Sequence, residues 1–420
     1  MATQLDCAEM VVEHKEVLEM ALSICKGYLA GAWKRITAED ICVKRMSGGL
    51  TNMLYHVTLL QSPHSTEPSE VLLRIYGQTH GERALESIIT DSVIFTLLSE
   101  RKLGPTLHGV FPGGRIEEYI PARSLKSSEL SDPVISLKIA EKMADIHLMQ
   151  IPVIKEPTFL WDTIQRWLNT LYMKNTKVLN GPNVQNTQES WRPNNNNNNA
   201  TDTLTNEQNK KNKILMKKVL SQDLNTEADW LKKHLLKVKS PVVFCHNDLQ
   251  EGNILFKESP EPPQHSPSHT IQDCPENASN DLVVIDFEYC SYNYRAFDIA
   301  NHFVESMYDY TYKHFPHYTV RRDNYPTYVI RKAFVETYLS RMNNTTTTAD
   351  QVLEEVKHFT LASHFFWALW SFVHDDNSEI PFGYWEYGLE RLNTYYRLKQ
   401  KLCPPGEQNA VKRKASTELD

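Results

Sequence analysis

Residues 246–253, HNDLQEGN, place a carboxylate, Asp248, five positions before a carboxamide, Asn253. A second carboxylate, Asp286, follows 33 positions after Asn253 in the segment IDFEY (285–289). Each segment comes directly after an apolar run, VVFC and LVVI, so the sequence predicts two buried strands that deliver polar groups at their ends. Two-metal phosphoryl transfer needs parts of this kind. A carboxylate must orient and deprotonate the attacking hydroxyl, and hard oxygen donors must hold Mg²⁺ against nucleotide phosphates. In this assignment Asp248 is the base, Asn253 and Asp286 are metal ligands, and Glu288 supports a second ion. The case for Glu288 is that residues two apart on an extended segment point to one side. A lone HND is commonly an Asx turn and a lone DFE a strand end. Their order and their matched apolar lead-ins carry the assignment.

The spacing from Asp248 to Asn253 matches the protein-kinase catalytic loop H-R-D-x-x-x-x-N, and Asp286-Phe287 stands where that enzyme class has D-F-G. Such chemistry requires a cradle for the phosphates. SGGLTN lies between two expected strands within 41–60, which makes Ser47, Gly48, Gly49, Leu50, Thr51, Asn52 and Met53 the candidate phosphate turn. A hairpin turn would use the same glycines. VLLR (71–74) puts Arg74 where a kinase has its phosphate-binding lysine, and a planar guanidinium suits that task. Its carboxylate partner is expected on a helix over 82–103, with Asp91 preferred and Glu86 second. In GRIEEYIP (114–121), Glu118, Tyr119 and Ile120 form the expected adenine strand, contacting the base through backbone groups of Glu118 and Ile120.

Stepping outward, the 420 residues divide into a helical segment (1–32), a strand-rich nucleotide-binding lobe (33–120), a helical catalytic lobe (121–403) and a tail (404–420). Helices are expected over 8–30, 131–149, 158–178 and 207–238, and from 296 onward the chain is helical and aromatic. Polar insertions without apolar periodicity occupy 181–206 and 257–281, and NNTTTT (343–348) reads as a third surface stretch. Lys and Arg number 45 against 52 Asp and Glu, a net charge of −7, which speaks against nucleic-acid binding by broad electrostatics. No apolar run reaches the ~18–20 residues that span a bilayer, and the first twenty residues lack the pattern of a secretory signal. Seven scattered cysteines without a CxxC pair read as reduced thiols of a cytoplasmic protein. The N-x-[ST] matches at Asn199, Asn277, Asn343 and Asn344 are then chance. VKRKAS near the end reads as a solubilising tail. A membrane protein, a secreted disulfide scaffold and a disordered chain are excluded.

HNDLQEGNILF followed by IDFEYCSYNYRAFDIANHFVE resembles the choline/ethanolamine kinase family, and LQEG within it is similar to the choline type. The resemblance covers about residues 40–400. It implies an α+β, eukaryotic-protein-kinase-like fold and MgATP-dependent phosphorylation of choline, the first step of phosphatidylcholine synthesis by the CDP-choline route. It implies that Asp248 is the catalytic base, that Asn253, Asp286 and Glu288 bind metal, and that Gln250 and Arg74 contact nucleotide. A homodimer is an expectation of the same kind. Ser47 departs from the pattern, since the family often has a basic residue before the glycine pair.

Choline has no N–H donor, so its head must be held by aromatic faces and a nearby carboxylate. Three of the eight Trp fall between 367 and 385, and Trp367 and Trp370 share one face of the helix LASHFFWALWSFV. An aromatic-rich apolar helix is most often core. The resemblance selects Glu305, Tyr310, Trp367, Trp370 and Tyr387 as the choline pocket. Arg295 and Asp298 are expected to form a structural ion pair, and His302 and His364 to be ordinary histidines. The rival readings are an ethanolamine-preferring kinase of the same family and a non-catalytic pseudokinase scaffold. A protein kinase is disfavoured, because no A-P-E segment follows IDFEY.

Overall fold

The structure is a computed structural model that describes residues 4–46, 52–61, 67–76, 82–180, 199–257, 281–375 and 381–403; for 4–14, 82–87, 174–180 and 199–209 only the backbone is described. Along the chain come α1 (Gln4–Tyr28), β1 (Ile41–Met46), β2 (Asn52–Leu59), β3 (Glu70–Tyr76), α2 (Glu82–Glu100), β4 (Leu107–Phe111), β5 (Gly114–Glu118) and β6 (Arg123–Ser124). Next are α3 (Pro133–His147), α4 (Thr158–Asn180), α5 (Asn199–Leu220), α6 (Leu224–Leu235), β7 (Val242–Cys245), β8 (Ile254–Phe256), β9 (Leu282–Val284) and β10 (Ser291–Tyr294). The remainder is α7 (Arg295–Glu305), β11 (Tyr308–Asp309), β12 (Thr319–Val320), α8 (Tyr328–Arg341), α9 (Ala349–His374) and α10 (Tyr384–Leu402). The fold has two lobes, a small β-rich N-terminal one and a larger, mostly helical C-terminal one. Two compact units emerge from its contacts. The first comprises 1–126, 149–153 and 251–290, and the second 127–148, 154–250 and 291–420.

In the first unit an antiparallel sheet runs in the order β1-β2-β3-β5-β4. Alternation builds it: in NMLYHVTL the buried positions are Tyr55, Val57 and Leu59, each two apart, so one face meets the core and the other does not. That core gathers Cys25, Leu29, Trp33, Val57, Val71, Leu73 and Ile116. Trp33 is fully buried, yet its indole N–H is satisfied by the Pro68 carbonyl at 2.9 Å. A second sheet, β6-β8-β9, carries the segment that ends at Asp286. The Lys257 amide donates to the Asp281 carbonyl at 2.8 Å, closing the base of the β8–β9 hairpin.

The second unit is built on α7 and α9. All eleven residues of α7 are buried, which makes it an interior helix that carries its polar groups inward rather than to water. The helix starts here are written in side chains. Asp132 accepts from the amides of Val134 and Ile135 ahead of Pro133, and Asp223 accepts from Thr226. Asp223 explains why the single helix expected over 207–238 is two, α5 and α6. NNTTTT is largely exposed, as expected, but it has a task the composition did not reveal. Thr348 forms a capping box with Gln351 at the start of α9, a contact worth about 1 kcal/mol. Of the insertion expected over 181–206, residues 181–198 lie outside the described residues, and from Asn199 the backbone is helical as the start of α5, against the irregular reading. Among the described residues, no helix is long and apolar enough to cross a membrane.

Candidate active site

In the first unit the site grows from the register of β3 on β5. Arg74 lies opposite Arg115, and Leu72 opposite Glu117, so Arg74, Arg115 and Glu117 share one face. Arg74 Nε donates to Glu117 Oε1 at 2.8 Å, and Arg115 Nε donates to the same oxygen at 2.6 Å. Glu117 is buried between them, and although burial raises its pKa, the two guanidinium groups outweigh that and hold it below the usual range. Arg74 is pushed the other way: burial works against its charge, and Glu117 and Asp286 more than offset this. Its partner is therefore Glu117 on the neighbouring strand, not Asp91 on α2. Glu86 has no described side chain. Asp91 is instead raised to about 6, by burial first and by the Asp286 charge last, with Arg115 opposing.

Arg74 also reaches Asp286, Nη1 to Oδ1 at 3.4 Å. Asp286 comes beside Asn253 because β8 and β9 pair with Ile254 opposite Val284, and the Ile285 amide donates to the Asn253 carbonyl at 3.0 Å. The backbone at Asp286 is left-handed, φ +64°, a conformation that costs energy in a residue with a side chain and gathers at functional sites. Beyond it the chain turns at 288–289 instead of continuing extended, so the extended-strand argument for Glu288 does not hold. Glu288 is exposed, and its charge acts on Arg74. Phe287 is buried against Phe95, and a Cβ at Gly104 would lie 2.6 Å from its ring, which is why glycine stands there. Of the remaining nucleotide candidates, Ser47–Thr51 lie outside the described residues. Asn52 and Met53 open β2, opposite Tyr76 and Ile75. The Glu118 amide is committed to the Thr106 carbonyl at 2.8 Å, Tyr119 stacks on His56 with centroids 3.6 Å apart, and Ile120 is buried.

In the second unit β7 delivers Asp248 on a pinned loop. Its neighbours His246, Asn247 and Leu249 are fully buried, while Asp248 is half-buried. The amides of His246 and Asn247 donate to the two oxygens of Asp298 at 2.9 and 2.8 Å. The Asn247 carbonyl accepts from Asn301, and the Leu249 carbonyl bonds to His302 Nδ1 at 2.9 Å. Asn247, like Asp286, has a left-handed backbone, φ +67°. Gln250, half-buried, donates its amide to the Asp248 carbonyl. The expected Arg295–Asp298 ion pair is not formed: Arg295 pairs with Glu355 at 2.6 Å, and Asp298 takes His147 at 3.0 Å. Both braces are structural, and His302 joins them. A carboxylate satisfied by two amides and an imidazole outweighs the geometric arrangement of a partner that local sequence suggested.

The aromatic candidates form one continuous group. Trp367 meets Trp370 edge-on at 5.7 Å, Trp370 meets Tyr384 at 5.9 Å, and Tyr384, Phe382 and Tyr387 follow in contact, with Tyr310 beside Phe382 and Tyr387. Trp370 is half-buried, whereas Trp367 is buried and donates to Asn301 Oδ1 at 2.7 Å. Tyr310 donates to Glu305 Oε2 at 2.8 Å and lies 2.9 Å from the Tyr387 hydroxyl. Sequence reasoning missed Phe382, and it missed Arg391, one turn beyond Tyr387, which bonds Glu305 and Tyr387.

The donor chemistry indicates where a metal ion fits. Among the described residues, His147, Cys245 and Asp298 have ligand atoms within 4.8 Å of one another. A thiol and an imidazole are poor donors for Mg²⁺, and the Asp298 oxygens already accept three hydrogen bonds. Asn253 and Asp286 offer oxygen atoms on adjoining strand ends, the donor type Mg²⁺ prefers.

A model of the choline/ethanolamine kinase family matches residues 43–396. A human relative named choline/ethanolamine kinase is 39% identical over 388 residues, 90% of this chain and 85% of its own. Choline kinase alpha of Mus musculus is 37% identical over 406 residues, 90% of this chain and 80% of its own. Among solved structures, a choline kinase from Cryptosporidium parvum Iowa II superposes with a TM-score of 0.66 at 26% identity, covering 92% of this chain and 97% of that one. A Plasmodium vivax ethanolamine kinase shares the fold at a TM-score of 0.59 and 21% identity, covering 85% and 83%. With the family model matching residues 43–396 and the relatives matched over most of both chains, the protein belongs to the choline/ethanolamine kinase family, as an ATP-dependent phosphotransferase acting on an alcohol.

Proposed function

We propose that the alcohol is choline and the product phosphocholine, destined for phosphatidylcholine by the CDP-choline route. The observation that carries this reading is the continuous aromatic group from Trp367 to Tyr387. A quaternary ammonium offers no hydrogen-bond donor, and π faces are the surface that binds it without one. The name of the mouse relative, choline kinase alpha, supports it, while that of the human relative covers both alcohols. In this reading Asp248 takes the hydroxyl of choline, orients it in line with the γ-phosphorus and accepts its proton late, since the transition state is loose. An ordinary carboxylate pKa suffices for that role. Arg74, held rigid by Glu117, donates to phosphate oxygens, and Gln250, Asn52, Met53 and the 47–51 turn complete the nucleotide contacts. Glu118, Tyr119 and Ile120 serve the adenine. Asn253 and Asp286, with Glu288 for a second ion, would hold Mg²⁺. Bound there, such an ion would supply positive charge against the nucleotide phosphates. The protein acts in the cytoplasm as a homodimer, which cell fractionation and sedimentation would check.

The test is a substrate panel of ethanolamine, its N-methylated forms and choline, with ATP and either Mg²⁺ or Mn²⁺. The expected result is a kcat/KM that climbs with each methyl group. A preference for ethanolamine would overturn the choline assignment, and no ATP consumption with any member would leave a scaffold without turnover.

A further inference from the structure

A cation already stands among the aromatic rings. Arg391, fully buried on α10, places its guanidinium carbon 3.7 Å from the centroid of Tyr308 and 5.0 Å from that of Tyr387. Its Nε and Nη2 donate to the Tyr387 hydroxyl at 2.9 and 2.6 Å. Nη2 also donates to Glu305 Oε1, and Nη1 is buried without a partner among the described residues. Glu305 is 3% exposed. One of its oxygens faces the guanidinium and the other accepts from Tyr310. Among the described residues, no other Lys or Arg forms an ion pair with it.

The carboxylate expected to attract the substrate's ammonium is thus neutralised from inside the protein, with both oxygens engaged. This matters differently to the two ammonium heads. A primary ammonium carries N–H donors that leave water on entry and need acceptors in exchange. A trimethylammonium head needs only polarisable faces and a potential that is not repulsive. We infer that Arg391 sets the head-group specificity of this enzyme: by occupying Glu305 it withholds the acceptor that a primary ammonium requires and leaves a cage suited to a quaternary one. The inference rests on the placement of the substrate head among these residues in the proposed function. Arg391 acts through Glu305 and is a positioning residue.

The experiment compares kcat/KM for choline and for ethanolamine in the wild type, Arg391→Gln and Arg391→Lys, beside thermal melts. Glutamine removes the charge and releases Glu305, so the choline-to-ethanolamine ratio should fall by ~10-fold or more, the worth of one hydrogen bond to a charged group. The change should come mainly through the two KM values rather than kcat. Lysine keeps the charge, and the ratio should stay within about threefold of the wild type, well under the tenfold that corresponds to 1.4 kcal/mol. A glutamine variant whose ratio is unchanged while both KM values rise together would show a merely structural arginine and overturn the inference. A lysine variant that loses the preference would also overturn it, and this second measurement decides the matter if the glutamine variant does not fold. A wild type inactive on both alcohols would instead refute the proposed function, an outcome distinct from either.

Discussion

Asp248 is the open member of a closed run. His246, Asn247 and Leu249 are fully buried, and Asp248 alone of the four is half-buried. Asp248→Asn keeps the shape and, because the position is only half-buried, leaves the melting temperature close to wild type. Hydroxyl alignment and proton acceptance are lost together, and kcat should fall roughly 10²–10⁴-fold. The check is steady-state kinetics beside an ATP-binding titration. Activity within a few-fold of wild type would remove Asp248 from the mechanism. Asp248, Asn253 and Asp286 were legible from sequence as candidates because their pattern is local: an acid, a carboxamide and an acid at fixed spacing. Glu117 was not, although Glu118 beside it was named. Its role exists only once β3 and β5 are in register, and a sequence without that register offers the acids of α2 as equally good partners. Arg391 was hidden for a related reason, since an arginine one turn from a tyrosine reads as a solvated helix face.

At the scale of the element, α7 is the floor under the 246–249 loop. It lends Asp298, Asn301 and His302 to backbone groups of His246, Asn247 and Leu249, and it ends in Glu305. For Asp298, burial raises the pKa, but the bond and charge of His147 and the bonds of the loop amides overcome it and hold the carboxyl below its usual range. A depressed folded pKa stabilises the native state above the unfolded value of ~3.9, and that stability is lost as pH falls through the lower folded value. At neutral pH, Asp298→Asn should cost about 3–5 kcal/mol, since it leaves His147 and one loop amide without their acceptor. The gap between variant and wild type should begin to narrow below pH ~3.9 and close only as pH falls through the lower folded value, where the native carboxyl is protonated as well. Denaturant unfolding from pH 7 down to pH 3 measures it, and a gap independent of pH would mean that Asp298 contributes shape rather than charge. The amphipathic helices and alternating strands were readable from their periods. Helix α7 was misjudged in detail, because its polar residues seek backbone groups distant in sequence and local reasoning paired two of them with each other.

For the molecule as a whole, the division into units falls within the first motif. Gln250 closes a segment of the second unit and Glu251 opens one of the first, so Asp248 and Asn253 belong to different units. The 258–280 excursion lies outside the described residues, and its two ends are already joined by the pairing of β8 with β9 and by the Lys257–Asp281 bond. Replacing it with a four-residue Gly/Ser turn should leave the Mg²⁺ requirement unchanged and add ~1–2 kcal/mol of stability, as a shorter loop closes at lower entropic cost. Titration of activity with Mg²⁺ and a thermal melt would check this. A raised Mg²⁺ requirement would show that Asn253 and Asp286 depend on the excursion for their alignment. Composition identified NNTTTT (343–348) correctly as surface, but it has no means of marking that its last residue, Thr348, begins a helix.

The seating of the 246–249 loop on α7 also has a consequence for biosynthesis. Both HNDLQEGN and IDFEY precede α7 in the chain, so they leave the ribosome before the helix that will hold the first of them. A nascent chain ending at Tyr294 contains Asp248, Asn253 and Asp286, yet the amides of His246 and Asn247 have no carboxylate to receive them. The seating of this loop is therefore a late event in vectorial folding. It waits for α7 and then, through Asn301, for α9 and Trp367.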